Sequence, residues 1–76
     1  MNPNIRICIL NWNGGKHLHE CINSIKSNKH DNYSITVIDN NSSDESLLDL
    51  SDDVTVIKLD KNYGFASGYN RGLKGL

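Results

Sequence analysis

The chain has 76 residues, enough for one small domain, and a fold of this size buries only about 60% of its unfolded surface. With 37% hydrophobic and 22% charged residues it has the balance of an ordinary globular sequence, which excludes a disordered or fibrous chain. A net charge of -1 without a basic cluster argues against nucleic acid or anionic membranes as partners. No apolar run approaches the ~20 residues of a membrane span, and the segment from Met1 to Asn4 lacks a signal peptide's features, so the expectation is a cytoplasmic protein.

The run from Ile5 to Leu10 is mostly apolar on both faces and rich in β-branched residues, the pattern of a covered parallel strand, with Arg6 near its start expected to reach an edge. It ends in the turn cluster Asn11, Trp12, Asn13, Gly14, Gly15. Leu18, Cys21, Ile22 and Ile25 then recur at i, i+3, i+4 and i+7, which predicts an amphipathic helix closed by Lys26 and Lys29. A second strand runs from Ile35 to Asp39. Ser42 and Glu45 have capping-box spacing, so a second helix is expected to start near Ser42 or Ser43 and to carry Leu47, Leu48 and Leu50. Val54 to Leu59 reads as a third strand, Asp60 to Gly64 as a loop, and a last helix is expected from about Ala66 to the end.

The expected fold is therefore α/β: three parallel strands alternating with three helices, with all three strand-to-helix loops on one edge of the sheet. Ligands of open α/β sheets bind outside the carboxyl ends of the strands, where these loops form a polar crevice. On the last helix Ala66, Tyr69 and Leu73 form the expected core stripe, while Gly68, Gly72 and Gly75 fall nearly opposite. Each glycine costs about 1 kcal/mol relative to alanine in a helix. That face is expected to lie under another element or a ligand, and nothing within the chain is evident to cover it. A chain stopping while the helical pattern is still running is expected to be part of a longer protein, and an open edge on the first strand would favour self-association.

Several chemistries are weighed against this frame. Cys8 and Cys21 lack CxxC spacing and read as reduced, buried thiols, and His17 and His19 project ~200° apart on a helix and cannot share a metal ion. Gly14, Gly15 and Lys16 lack phosphate-loop spacing, and the GxGxxG of a dinucleotide-binding fold is missing. Trp12 offers a flat face for a nucleobase, or packs over the first helix. Asp39 can accept a hydrogen bond from a base N–H or a ribose hydroxyl, or from the backbone of its own loop.

Three motifs sharpen the choice: Ile9-Leu10-Asn11-Trp12-Asn13-Gly14, then Val37-Ile38-Asp39-Asn40-Asn41-Ser42-Ser43-Asp44, then Asn62-Tyr63-Gly64-Phe65-Ala66-Ser67-Gly68-Tyr69-Asn70-Arg71-Gly72. In this order they resemble the opening of family 2 glycosyltransferases of the GT-A fold, especially rhamnosyltransferase-like members, over essentially the whole chain. The resemblance implies a Rossmann-like, three-layer nucleotide-sugar-binding half-domain spanning residues 1–76, with strand order 3-2-1 and truncated before the metal-binding DxD. It implies Trp12 near the base with Asn11 and Asn13 shaping its loop, Asp39 at the nucleoside, Asn41 and Ser42 on the rim, and Arg71 near the donor diphosphate.

No catalytic residue and no metal ligand is assigned within the chain. A divalent cation (Mg2+ or Mn2+) is implied for the full-length enzyme, with none bound by this portion, which alone is expected to be inactive. The implied partners are a nucleotide-sugar donor and a glycan or lipid-linked acceptor, with any membrane association supplied by segments outside the chain. Glu45 stands where the family often has glycine. The competing reading is a non-enzymatic α/β binding or interaction module.

Overall fold

The computed structural model describes residues 5–27 and 33–74, apart from the side chain of Ala66; the expectations placed on Lys29, on Gly75 and on the chain's first residues lie outside it. Three strands, β1 (Ile5–Asn11), β2 (Tyr33–Asp39) and β3 (Val54–Lys58), form one parallel sheet in the order β1-β2-β3. Helix α1 (Lys16–Lys26) joins the first two, and α2 (Phe65–Lys74) follows the third. The strand order is the one the resemblance implies, and the strands lie within two residues of the expected bounds.

Burial follows the two faces of the sheet. Leu18 and Ile22 of α1 pack with Ile35, Val37 and Val54, and Ile9, Ile25, Leu47 and Leu50 close round them. Burying each of the first five side chains stabilises the fold by about 1.5 to 3 kcal/mol, and the partly buried four contribute less. Val37 and Ile38 of the central strand are both fully buried although they face opposite sides, because α2 covers the other face. Cys21, expected inside, is exposed: it lies at the margin of the stripe whose centre is Leu18 and Ile22.

Two expectations fail among the described residues. The segment after Ser42 is a turn at residues 46–49 and not a helix, so two helices are present where three were expected. Its capping groups are engaged elsewhere. The Ser42 hydroxyl donates to Asp39 at 2.6 Å and accepts the Asn13 N–H at 2.8 Å, while Leu48 N donates to Glu45 O at 3.0 Å to close a single turn. Asp49 at φ 60 then leaves the helical region.

The second correction concerns α2. Gly68 and Gly72 are buried against the sheet, and Leu73 of the expected core stripe is 47% exposed. A Cβ on Gly68 would lie 3.0 Å from the Asn40 amide and 3.2 Å from Leu10, and one on Gly72 would run into Ile38. The glycines are covered by the chain's own sheet, whose bulky side chains leave room only for bare helix backbone.

Candidate functional site

The carboxyl ends of the strands are bound together by side chains. Asn11, Asp39 and Lys58 are register partners across β1, β2 and β3. Side chains of paired residues share a face, so the three project together at the sheet edge. The Asn11 amide Nδ2 donates to Asp39 Oδ1 at 2.9 Å and to Ser46 Oγ at 2.9 Å, with Ser42 Oγ at 3.2 Å. Asp39 is fully buried, and its Oδ2 accepts the Ser42 N–H at 2.9 Å. Lys58 Nζ stands 3.8 Å from the same oxygen, with its side chain 56% exposed. A buried carboxylate is tolerated here because three hydrogen bonds and the nearby Lys58 ammonium offset its burial.

The first loop is laced to the second. Asn13 sits at φ 50, a region asparagine tolerates, and its Oδ1 accepts the N–H groups of Ser43 and Asp44 at 2.8 and 3.3 Å. Gly15 precedes α1 at φ 53 with no side-chain cap of its own, and its N–H goes to Asp44 Oδ2 at 3.0 Å. Glycine is needed there for the positive φ, and Asp44 takes the N–H of the N-cap residue itself, the bond an N3 glutamate makes in a capping box. The Ser46 hydroxyl and N–H also bond Asp44, and that hydroxyl is the first cause holding the Asp44 carboxyl below its usual range. His19 Nε2 lies 2.9 Å from Ser46 O, tying α1 to the same loop.

The third loop is held by Asn40, which is 2% exposed. Its Oδ1 accepts the Tyr63 N–H and its Nδ2 donates to Gly64 O, both at 2.9 Å. Asn62 Oδ1 accepts the Gly64 N–H at 2.7 Å, forming the Asx turn that starts α2. Tyr63 then carries the Arg71 guanidinium 3.9 Å over its ring and donates its hydroxyl to Asp60. That bond lowers the Asp60 pKa and raises that of Tyr63.

The structure thus brings Asn11, Asn13, Asp39 and Ser42 into one cluster. Trp12, between Asn11 and Asn13 in the chain, is 57% exposed, which weighs against a packing role over α1. Asn41 is exposed at φ 62, and Arg71 is exposed on α2 in the separate group around Tyr63. Sequence reasoning missed Asn40, Ser46 and Lys58, and gave Asp44 no role in the site. The strand-end position of Asn40, next to Asp39, was a usable signal, because a side chain there faces the next loop. Nothing in the spacing of Ser46 announces its contact with Asn11.

Among the described residues no group of three His, Cys, Asp or Glu side chains is placed to hold a metal ion. The oxygens of Asp39 face amide, hydroxyl and ammonium donors, so this cluster does not fit a divalent cation. No helix among the described residues is long and apolar enough to cross a membrane.

The strand ends of this parallel α/β sheet carry a cluster of bonded polar side chains, at the edge where open α/β sheets bind their ligands. The family model for glycosyl transferase family 2 matches residues 6–75, and the chain belongs to that family. No curated protein gives a significant match.

Proposed function

We propose that this chain is the donor-binding portion of a glycosyltransferase that moves a sugar from a nucleotide-sugar to a glycan or lipid-linked acceptor. The observation that carries the reading is the exposed Trp12 directly after Asn11, whose amide bonds the Asp39 carboxylate that Lys58 faces at the strand ends. An indole face stacks on any nucleobase, worth about 1 to 3 kcal/mol. Three sides of Asp39 are closed by short hydrogen bonds, and the Oδ2 lone pair toward Lys58 is the one left for a base N–H or ribose hydroxyl. In this reading Lys58 moves aside as the nucleoside enters and donates to one of its oxygens. Asn11, Asn13, Asn41 and Ser42 shape the loops that hold these groups.

Arg71 is the cation assigned to the donor diphosphate, which its planar fork suits. The ligands for a divalent cation and the base that deprotonates the acceptor are assigned to other parts of the parent enzyme, and no step of transfer belongs to these residues. Rhamnosyltransferase-like relatives supply the first donors to try. Titration with UDP- and dTDP-sugars, followed by Trp12 fluorescence, tests the reading. Saturable quenching that weakens in Asp39→Ala supports it; no response to either series removes it.

A further inference from the structure

The third loop lies away from the Asp39 cluster, and one buried side chain fixes it to the sheet. Asn40 bonds the Tyr63 N–H and the Gly64 carbonyl at once, as a neighbouring strand would, and its amide lies where a Cβ on Gly68 would come within 3.0 Å. Gly64 O also accepts the Gly68 N–H at 3.0 Å, the first turn of α2, so Asn40 sets the start of that helix as well as the height of the loop. Both ends of the Tyr63 and Arg71 stack therefore refer to one amide: Tyr63 through its backbone, Arg71 through the helix that carries it. Asp60 restrains the stack from the other side by holding the Tyr63 hydroxyl.

We propose that Asn40 is a positioning residue that acts through Tyr63 to hold the Arg71 guanidinium in place for the donor diphosphate; the diphosphate role rests on the donor-binding reading above. Asn40 itself touches no ligand. Its two bonds need both a donor and an acceptor on one short side chain, which asparagine has and aspartate lacks. An arginine fixed on an aromatic ring loses less freedom on binding phosphate than a free one, so releasing the loop weakens phosphate recognition without touching the nucleoside.

The test uses the whole chain with two readouts. The first needs no ligand: protons on the Arg71 side chain lie over the Tyr63 ring and are shifted upfield in the NMR spectrum. Asn40→Ala and the better-shaped Asn40→Asp should both move that shift toward the free-arginine value, and Asn40→Asp serves alone if Asn40→Ala does not fold. The second compares the affinities of UDP and uridine. Their ratio should fall about tenfold in the variants, the size of one charge-assisted contact, while uridine binding is unchanged. A ring-current shift kept in both variants overturns the positioning role. A lost shift with an unchanged UDP-to-uridine ratio overturns its link to the diphosphate. Wild-type protein binding neither probe would instead remove the donor-binding reading and with it the diphosphate role, leaving the shift to decide the Asn40 to Arg71 connection alone.

Discussion

Gly72 of α2 lies so close to Ile38 of β2 that the isoleucine side chain fills the space a Cβ at position 72 would need. Helix propensity and packing therefore make opposite predictions for one substitution. Alanine in place of glycine in a helix gains about 1 kcal/mol, whereas overpacking a buried contact costs about 1 to 3 kcal/mol. Packing wins, since Ile38 is fully buried and has nowhere to move. Gly72→Ala is expected to lower stability in urea by up to about 2 kcal/mol, and Ile38→Val should cost less in that background than in the wild type. A stabilised Gly72→Ala variant would contradict the observed face of α2.

Removing the Asn11 amide leaves Asp39 buried with one donor fewer, while the Ser46 hydroxyl keeps only Asp44. Asn11→Ala is expected to cost about 1.5 to 3 kcal/mol, the range for hydrogen bonds to charged groups. Asn11→Asp should cost more, because it sets a second carboxylate against the first in a site closed to water. Equilibrium unfolding at neutral pH separates the two, and equal losses would argue that Asp39 tolerates a like charge beside it.

Acid stability should depend on Asp44. Its folded-state pKa is lowered, first by the Ser46 hydroxyl, so the unfolded chain takes up the proton before the folded one does as pH falls. The stabilisation is fully present above the unfolded value, near pH 4, and is lost as pH drops through the lower folded value. Asp44→Asn keeps an acceptor for Ser46 but cannot ionise. Its urea midpoint should change less between pH 6 and pH 3 than that of the wild type, and parallel pH profiles would refute the assignment.

Trp12 is more than half exposed, so its removal should separate binding from folding. Trp12→Ala is expected to change stability by less than about 0.5 kcal/mol and to weaken UDP binding by about 1 to 3 kcal/mol, measured by calorimetry. A large stability loss with unchanged binding would return Trp12 to a packing role.

The sheet was legible because each strand is a short apolar run bounded by turn residues, a signal that does not depend on partners. The first helix was legible for the same kind of reason, through Leu18, Ile22 and Ile25. The second was not. Ser42, Asp44 and Glu45 carry the residue types of a helix start, but Asn13 and Gly15 of the first loop engage Ser42, Ser43 and Asp44 from about thirty residues away, a competition invisible in local spacing, while Asp39 takes the Ser42 hydroxyl from within its own loop. For α2 the spacing gave which residues share a face and not which face lies inward. Ile38 and Leu10 decided that by being too large for any helix face but the glycines. At the candidate site, Asn11, Asp39 and Ser42 were readable as strand-end polar groups, while Asn40 gains its importance only once Tyr63 is beside it in space.

Because one amide aligns Tyr63 and Gly64 with the end of β2, the position of the third loop does not depend on the length of chain that separates them. The stretch at Ser51 to Asp53, exposed except for Lys26 meeting Asp53 at 2.8 Å, lies within that interval. Residues inserted there would extend into solvent and leave the Tyr63 and Arg71 stack where it is. The fold can thus vary in length at one end of the sheet while the spacing of its ligand-facing groups at the other stays fixed.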